Sequence, residues 1–197
     1  ALPGAAAFLM TMLRPDTIDA LIAAVADARA SRGKLALQGG GSKTAIGAPR
    51  DATIVDMRGF TGIIDYDPAE LVLTVRAGTP LADIEAALAE KAQMLAFDPG
   101  DHAPLFRRAS GEATIGGVIA AGVVGPRRLS AGGARDHLLG FTAVSGKGER
   151  FIAGGKVVKN VTGFDLSKLM TGSWGRLAAL TEVSIKVLPR PRSSLTL

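Results

Sequence analysis

The stretch Lys34-Leu35-Ala36-Leu37-Gln38-Gly39-Gly40-Gly41-Ser42-Lys43-Thr44 passes from a short apolar run directly into a glycine-rich loop. The apolar run predicts a buried strand over residues 34–38. The three glycines permit positive φ angles and leave backbone N–H groups uncovered, so these groups can converge on an anion. Ser42 and Thr44 add hydroxyl donors, and Lys43 adds a positive charge. The loop therefore indicates a phosphate or pyrophosphate site, although a simple glycine-rich turn would have the same composition.

This loop matches neither of the two commonest nucleotide-binding motifs. A P-loop requires a glycine five residues before a Gly-Lys-Ser/Thr run. Here Ser42 separates Gly41 from Lys43, and Ala36 stands five residues before Gly41. The dinucleotide pattern Gly-x-Gly-x-x-Gly requires a third glycine at the position of Thr44. The identity of the ligand therefore depends on the rest of the chain.

Two further groups of small residues follow. Residues 113–122 read Ala-Thr-Ile-Gly-Gly-Val-Ile-Ala-Ala-Gly, and they would let a ligand lie directly against the backbone. Tight helix packing would require the same composition. The next group combines Asn160 to Leu166 with Gly172 to Gly175. In this group Asp165 could simply cap a helix, and the glycines could simply turn the chain into its last strands.

Helix and strand signals alternate over residues 16–95 and predict a small α/β lobe. Asp16 is expected to cap a first helix, and Thr79 followed by Pro80 is expected to start a second. The first helix has an apolar stripe of Ile18, Leu21, Ile22 and Val25, and the second has one of Leu81, Ile84 and Leu88. Strands are predicted at 34–38, 53–57, 63–64 and 70–76.

The second half of the chain predicts an antiparallel-leaning α+β lobe. A short buried helix is expected over Ile115 to Ala121, and one or two helical turns over Asp165 to Met170. Turn residues 145–148 predict a hairpin between two strands. The strands are expected at 138–144, 149–152 and 183–187, with a strand edge at 157–158.

The amino-acid composition of the chain excludes several classes of function. The 197 residues, 47% of them hydrophobic, can form one substantial core or two small lobes. The absence of cysteine excludes disulfides and thiolate catalysis, and the two histidines are too few for a histidine metal site. The net charge of +5 is not concentrated in one run or interleaved with aromatic residues, so we expect no nucleic-acid binding.

Ala1 to Met10 are apolar but too few to span a bilayer, so we expect an N-terminal arm over residues 1–11 and no transmembrane segment.

Four stretches carry a family resemblance: Leu71 to Leu81, Gly125 to Arg128, Lys159 to Ser167 and Glu182 to Pro191. Together with the glycine groups, they resemble the FAD-binding domains of the vanillyl-alcohol oxidase / p-cresol methylhydroxylase (PCMH-type) superfamily. Within that superfamily the stretches are most similar to the FAD-binding E subunits of bacterial glycolate oxidases. The likeness runs from about Met12 to the end of the chain.

The resemblance implies an α+β, two-lobed PCMH-type FAD-binding domain over residues 12–197. The first lobe is expected over about residues 12–97, and the second, with a mixed or antiparallel sheet flanked by helices, over about residues 98–197. FAD would lie between the lobes. Motif matching assigns each part of the cofactor to one group of residues. The pyrophosphate would lie against Gly39, Gly40, Gly41, Ser42, Lys43 and Thr44, and the flavin-proximal part would lie along Ala113, Thr114, Gly116, Gly117, Ala121 and Gly122. The adenine or ribitol side would lie against Trp174, Gly175 and Leu180.

The same resemblance implies an oxidoreductase that acts on the CH–OH group of a 2-hydroxy acid such as glycolate. Hydride would pass to the flavin, and electrons would pass onward to an iron–sulfur subunit. The implied partners are that subunit and a second FAD-linked subunit, in the cytoplasm or peripherally at the inner membrane. Arg127, Arg128, Arg135 and His137 are available for a substrate carboxylate or proton, but we favour surface charge and ordinary hydrogen bonding as their explanation. We assign no catalytic residue.

Two departures from the superfamily matter. Some relatives bind the flavin covalently through a histidine in the glycine loop, and Ser42 occupies that place here, so we expect noncovalent FAD. Full-length relatives continue well past the final Pro-Arg-Pro, so we expect a short or missing substrate cap domain. Two alternatives remain: a flavin-carrying or assembly subunit without catalysis of its own, and a phosphate- or nucleotide-binding module without flavin.

Overall fold

A computed structural model describes residues 12–44, 46, 51–107, 112–122, 124–155, 163–193 and 195. Within these residues the fold contains a parallel sheet, a larger antiparallel sheet and a two-stranded ribbon. Helices pack against the sheets, so the predicted α+β class is confirmed. The predicted N-terminal arm and the predicted strand edge at 157–158 lie outside the described residues.

The parallel sheet has three strands, β1 (Met12–Leu13), β2 (Leu35–Gln38) and β3 (Thr53–Asp56), in the order β1-β3-β2. Parallel neighbours require a crossover connection, and helix α1 (Ile18–Ala30) carries the chain from β1 to β2. Strand β2 was predicted to be buried, but its residues are only half-buried. One side of this strand lines a cavity, as described below.

Helix α1 joins the parallel sheet to the rest of the fold. Its predicted apolar stripe is confirmed, with Leu21 and Val25 buried. These side chains share a core cluster with Val55 of β3 and with Val144 and Ala179, which belong to the larger sheet. Each fully buried aliphatic side chain contributes about 1.5–3 kcal/mol through burial. The small cluster therefore fixes one sheet against the other.

The antiparallel sheet and the ribbon contain the remaining strands. They are β4 (Ile63–Asp67), β5 (Val72–Arg76), β6 (Gln93–Met94), β7 (Leu138–Ser145), β8 (Arg150–Gly154), β9 (Ala178–Lys186) and β10 (Leu188–Pro189). The sheet has the order β4-β5-β9-β7-β8 with every neighbouring pair antiparallel, and the ribbon pairs β6 with β10. The predicted hairpin at 145–148 is present, with Gly148 at a φ of 81°.

The larger core lies between this sheet and the helices that follow α1. These are α2 (Leu81–Ala89), α3 (Ile115–Ala121), α4 (Arg128–Ala131), α5 (Ala134–His137) and α6 (Leu166–Met170), of which α4 contributes no buried residue. The core contains the predicted stripe of α2, the apolar side chains of α3 and the inward-facing residues of β5 and β9. Helix α3 has the predicted bounds because Thr114 caps its first turn and Gly122, at a φ of 65°, ends it.

The N-terminal caps predicted at Asp16 and Thr79 are wrong, although both helices begin within two residues of the expected start. Thr17, rather than Asp16, accepts a backbone N–H of the first turn of α1, because its own backbone is extended as a cap requires. At α2, the hydroxyl of Thr79 donates to the carbonyl of Arg76 at 2.7 Å. No side chain caps that helix.

The lobe boundary near residue 97 stays a prediction, and the division between the sheets falls at another position. Strands β4 and β5 precede residue 97, yet β5 pairs with β9 from Val72–Lys186 to Arg76–Glu182. The division between the sheets falls between β3 and β4. A strand pattern shows which face is buried, but it does not show which edge the strand will join.

A buried ion pair closes the carboxyl end of β3. The side chain of Asp56 is 1% exposed and accepts guanidinium hydrogen bonds of 2.9–3.2 Å from Arg58. Burial by itself would raise the pKa of the Asp56 carboxyl, but the hydrogen bonds and charge of Arg58 hold it below the ordinary value. Arg58 also lies 3.9 Å from the carboxylate of Glu112, which precedes α3.

We predict that Asp56→Asn lowers the free energy of unfolding by about 2–3 kcal/mol near neutral pH, because it removes charge-assisted hydrogen bonds. A carboxyl whose folded pKa is lowered stabilises the fold above its unfolded pKa, near 3.8, and this contribution is lost as the pH falls through the folded pKa. The difference between wild type and variant should therefore shrink as the pH falls below about 3.8 in urea titrations.

The matched control is Asp27→Asn, which removes an exposed carboxylate from α1. It should leave the free energy of unfolding within about 0.5 kcal/mol of wild type. A loss in the control as large as that in Asp56→Asn would contradict a specific role for the buried pair.

Candidate functional site

A cleft of about 640 Å³ lies where the parallel sheet meets the antiparallel sheet. Its walls come from residues within 36–44, 52–57, 114–121 and 173–180, together with Ile46 and Ala77. These segments belong to β2, β3, α3 and the entry to β9. The volume lies in the range of about 300–1,000 Å³ that is usual for small-ligand sites.

Most of the predicted cofactor-contacting residues line this cleft. They are Gly39, Gly40, Gly41, Ser42, Lys43, Thr44, Thr114, Gly116, Gly117, Ala121, Trp174, Gly175 and Leu180. The structure places the other two elsewhere. Ala113 is buried in the larger core, and Gly122 forms the C-terminal end of α3. Three segments that are far apart in sequence therefore meet at one site.

The glycine loop touches the segment before α3. A Cβ on Gly39 would overlap the hydroxyl of Thr114, and a Cβ on Gly40 would overlap the backbone carbonyl of Glu112. Gly41 has a φ of 73°, which side chains rarely adopt. The loop can therefore lie in this position only because Gly39 and Gly40 carry no side chains, and the loop lines the cleft.

Helix α3 packs closely for a similar reason. The N–H of Gly116 donates to the carbonyl of Ala77 at 2.7 Å, and a Cβ on Gly116 would overlap Ala77. Thr114 accepts the N–H of Gly117 at 3.3 Å and thereby caps the helix. The face of α3 that lines the cleft consists of glycine and alanine, so a ligand there would contact backbone and methyl groups.

Lys43 is the one ionisable side chain among the described residues that line the cleft. Its ammonium donates to the hydroxyl of Ser42 at 3.3 Å. Burial lowers the pKa of Lys43, and the carboxylate of Asp101 acts in the opposite direction. A single cation in an otherwise neutral cleft would stabilise a bound phosphate group.

Ser173 provides a second unused donor. Its hydroxyl oxygen is buried, yet it has no hydrogen-bond partner among the described residues. Ser173 lines the cleft beside Trp174. A buried hydroxyl without a partner costs about 1–3 kcal/mol, and a ligand that accepts its hydrogen would recover that cost.

The sequence patterns missed part of the lining. The missed residues are Ala36, Leu37, Gln38, Ile46, Ala52, Ile54, Met57, Ala77, Ala120, Ser173 and Ala178. Ser173 could have been found, because it lies inside the Gly172 to Gly175 group. The strand residues carry no such signal, since an alternating pattern does not show whether a half-buried face meets protein or an empty cleft.

The four residues considered for substrate binding or proton transfer do not line the cleft. Arg127, Arg128 and Arg135 are exposed on the surface. His137 is buried, and its two ring nitrogens lie 3.1 Å from the carbonyl oxygen of Lys186 and 2.8 Å from that of Ala131. The contacts of His137 therefore agree with ordinary hydrogen bonding, which was one of the two interpretations of this residue.

Two other classes of site were also sought. No group of histidine, cysteine and carboxylate residues in the described part of the chain could hold a metal ion. None of the described helices has the length and apolar character needed to cross a bilayer.

The chain matches the FAD binding domain family over residues 11–154, which is most of its length. It belongs to that family. FAD is accordingly its cofactor, and the cleft has properties that fit FAD. A loop of glycine backbone that lines the cleft and one cation suit the pyrophosphate, whereas walls of small and apolar residues suit the flat rings. The buried hydroxyl of Ser173 offers a further donor to a polar ligand atom.

Similar proteins support the assignment to the FAD binding domain family. Glycolate oxidase subunit GlcE of Escherichia coli K12 is 47% identical over 187 residues, which cover 94% of this chain and 51% of that protein. Glycolate oxidase subunit GlcD of Bacillus subtilis is 36% identical over 135 residues, which cover 68% of this chain and 27% of that protein. This chain thus spans about half the length of the first protein and about a quarter of the second.

A solved structure confirms the fold. Alkyldihydroxyacetonephosphate synthase superposes with a TM-score of 0.71 at 21% sequence identity. The superposition covers 92% of this chain and 32% of the synthase chain. The predicted two-part architecture of an FAD-binding domain is therefore present, with the sheets divided between β3 and β4.

We predict that Gly40→Ala weakens FAD binding at least about tenfold, because the loop must move away from Glu112 to accommodate a methyl group. The chain contains a single tryptophan, Trp174, which lines the cleft. Quenching of its fluorescence during FAD titration provides the measurement. Gly146→Ala is the matched control, because a Cβ there meets nothing within 4 Å. Equal affinities in the two variants would show that the loop is not pressed against Glu112.

Proposed function

We propose that the chain is the FAD-binding subunit of an oxidase or dehydrogenase that acts on the CH–OH group of glycolate or a related 2-hydroxy acid. The observation that carries this proposal is the 47% identity to the Escherichia coli glycolate oxidase subunit GlcE over 94% of this chain. The identity extends over all the segments that line the cleft, since only a small part of the chain lies outside the match.

In this proposal the pyrophosphate of FAD lies against residues 39–44, with Lys43 as its cation. The position of Gly39, Gly40 and Gly41 along the cleft supports this placement, as does the absence of another charged side chain among the described lining residues. The flavin-proximal part would lie along the small residues of α3, and the adenine or ribitol side near Trp174 and Gly175. Ser42 stands where some relatives have histidine, so the attachment is noncovalent.

Bound FAD supplies a hydride acceptor, whereas this chain supplies position and exclusion of water. Its small residues bring backbone close to the rings, and its apolar walls remove solvent from them. Removal of the substrate hydroxyl proton requires a base. Because the described lining contains no histidine or carboxylate, we place that base outside this cleft.

We further infer that the chain works in a complex with a second FAD-linked subunit and an iron–sulfur subunit that accepts the electrons. The similarity to two proteins named as glycolate oxidase subunits supports a complex. Such a complex would lie in the cytoplasm or peripherally at the inner membrane.

A second candidate function is a flavin-carrying subunit that relays electrons or supports assembly while another subunit oxidises the substrate. The single ionisable side chain among the described cleft residues favours this candidate. Reduction of a dye by the purified chain with glycolate or D-lactate distinguishes the two functions. Activity without a partner would contradict the relay role, and activity only after a partner is added would support it.

The presence of flavin is tested first by absorbance spectra of the purified chain before and after addition of FAD. Bound flavin that is released by acid precipitation is the expected result for a noncovalent cofactor. Flavin that stays with the precipitate would refute noncovalent binding. A chain that holds no flavin after excess FAD would instead support a phosphate-binding module.

We predict that Lys43→Met weakens FAD binding about 10- to 100-fold, whereas Lys43→Arg retains most of the affinity, because both lysine and arginine pair with phosphate. Burial lowers the pKa of Lys43 in the free protein, and a bound pyrophosphate would raise it. The affinity of wild type should therefore fall as the pH rises through the pKa of Lys43, while that of Lys43→Met stays level. Tryptophan fluorescence titrations across this range make the comparison, and parallel pH profiles would contradict the assignment.

We predict opposite effects of Ser173→Ala on the free and FAD-bound chain. Removal of a buried hydroxyl without a partner should leave the free chain equally stable, or more stable by about 1 kcal/mol. FAD affinity should fall about 3- to 10-fold if the hydroxyl donates to the cofactor. Thermal unfolding of the free chain and FAD titration give the two readouts. A loss of stability with unchanged affinity would assign Ser173 a purely structural role.

A further inference from the structure

A second cavity, of about 420 Å³, lies beside the ribbon formed by β6 and β10. None of its lining residues belongs to the FAD cleft. Its floor includes the buried residues Gln93, Leu95 and Pro99, with half-buried Met94 beside them. Gln93 is already hydrogen-bonded to Tyr66 and to the carbonyl of Pro68, so the floor available to a ligand is mainly apolar.

Three exposed arginines form the rim of this cavity: Arg127, Arg190 and Arg192. The ion pairs between described residues all lie elsewhere, so none of these guanidinium groups has a carboxylate of a described residue within 4.0 Å. Arg127 instead donates to the sulfur of Met94 at 3.3 Å. Sulfur is a weak acceptor, and an arginine carries five N–H donors. Among the described residues, most of the donors on the rim therefore have no acceptor.

The backbone holds the rim in place from two separate segments. Arg190 donates its backbone N–H to the carbonyl of Ala92 at 2.7 Å, directly after Pro189 has paired with Gln93. Arg127 immediately precedes α4 and approaches the same floor through its contact with Met94. Guanidinium groups thus reach the cavity from two segments, and each segment has its own contact with the residues of β6.

Charge and shape together restrict the ligand. Glu85 and Asp98 also line the cavity, so three positive charges stand against two negative charges. Arginine forks bind carboxylates with two parallel hydrogen bonds. Groups on separate segments favour a ligand with more than one acidic group, and the apolar floor favours a carbon chain between them. The volume suits a small molecule.

We propose that this cavity binds a small organic dicarboxylate, with its carboxylates on Arg127, Arg190 and Arg192 and its carbon chain over Leu95. The proposal goes beyond the proposed function and does not depend on it. The cavity shares no residue with the FAD cleft, so binding should be the same with and without FAD.

The test is a calorimetric titration of the FAD-loaded chain with succinate, followed by NMR of the arginine Nε–H signals. We expect saturable one-to-one binding. Arg190→Ala and Arg192→Ala should each weaken it at least about tenfold, because each removes charge-assisted hydrogen bonds. Glu85→Gln should strengthen binding, because it removes a negative charge from the lining. The control is Arg150→Ala, which removes an exposed arginine of β8.

Four results would overturn the proposal. The first is the absence of saturable binding, and the second is an equal loss in Arg150→Ala, which would indicate a general charge effect. The third is inorganic phosphate binding as tightly as succinate, which would show that the carbon chain contributes nothing. The fourth is a glutamate-rich peptide binding far more tightly at the same arginines, which would assign the surface to a protein partner. Repeating the titration without FAD separates this result from any failure of flavin binding.

Discussion

The close approach of the glycine loop to the segment before α3 is the constraint on which the cleft depends. Gly39 and Gly40 lie where any side chain would overlap Thr114 or Glu112, so the loop can approach the segment before α3 only through bare backbone. The core cluster around Leu21 and Val55 holds the sheets together behind this contact. Arg58 strengthens the same junction, because it pairs with Asp56 on one side and lies 3.9 Å from Glu112 on the other. Loss of the close approach would open the cleft even if both sheets stayed folded.

The residue types that line the cleft limit the chemistry that it can perform. Glycine, alanine and apolar side chains make up most of the described lining, and these residues can position a cofactor but cannot exchange protons with a substrate. Lys43 and Ser173 are polar residues of this lining. The ammonium of Lys43 donates to the hydroxyl of Ser42, and the hydroxyl of Ser173 has no partner among the described residues. Both groups suit the retention of a dinucleotide. A cleft built in this way suits the retention of a flavin, and an acid–base step would require groups outside the described lining.

Much of the fold could be predicted because local patterns have local causes. The apolar stripes of α1 and α2 appear in the core, and α3 has the predicted bounds, because helical periodicity and capping act within a few residues. The predicted caps at Asp16 and Thr79 failed for the same local reason, since neighbouring threonine and backbone groups competed for the hydrogen bonds. The division between the two sheets has a different cause. The pairing of β5 with β9 joins residues about a hundred positions apart, and no local pattern encodes it.

The sequence by itself determined that three groups of small residues could expose backbone to a ligand, and its motifs resembled an FAD-binding domain. Only the tertiary structure decided that these groups meet, that Ala113 and Gly122 lie away from the cleft, and that Ser173 has an unused hydroxyl there. It also decided that Arg127 meets Arg190 and Arg192 at a separate cavity. The physical reason is the same in each case. A residue type limits which contacts are possible, whereas strand pairing and core packing select the neighbours with which the contacts are made.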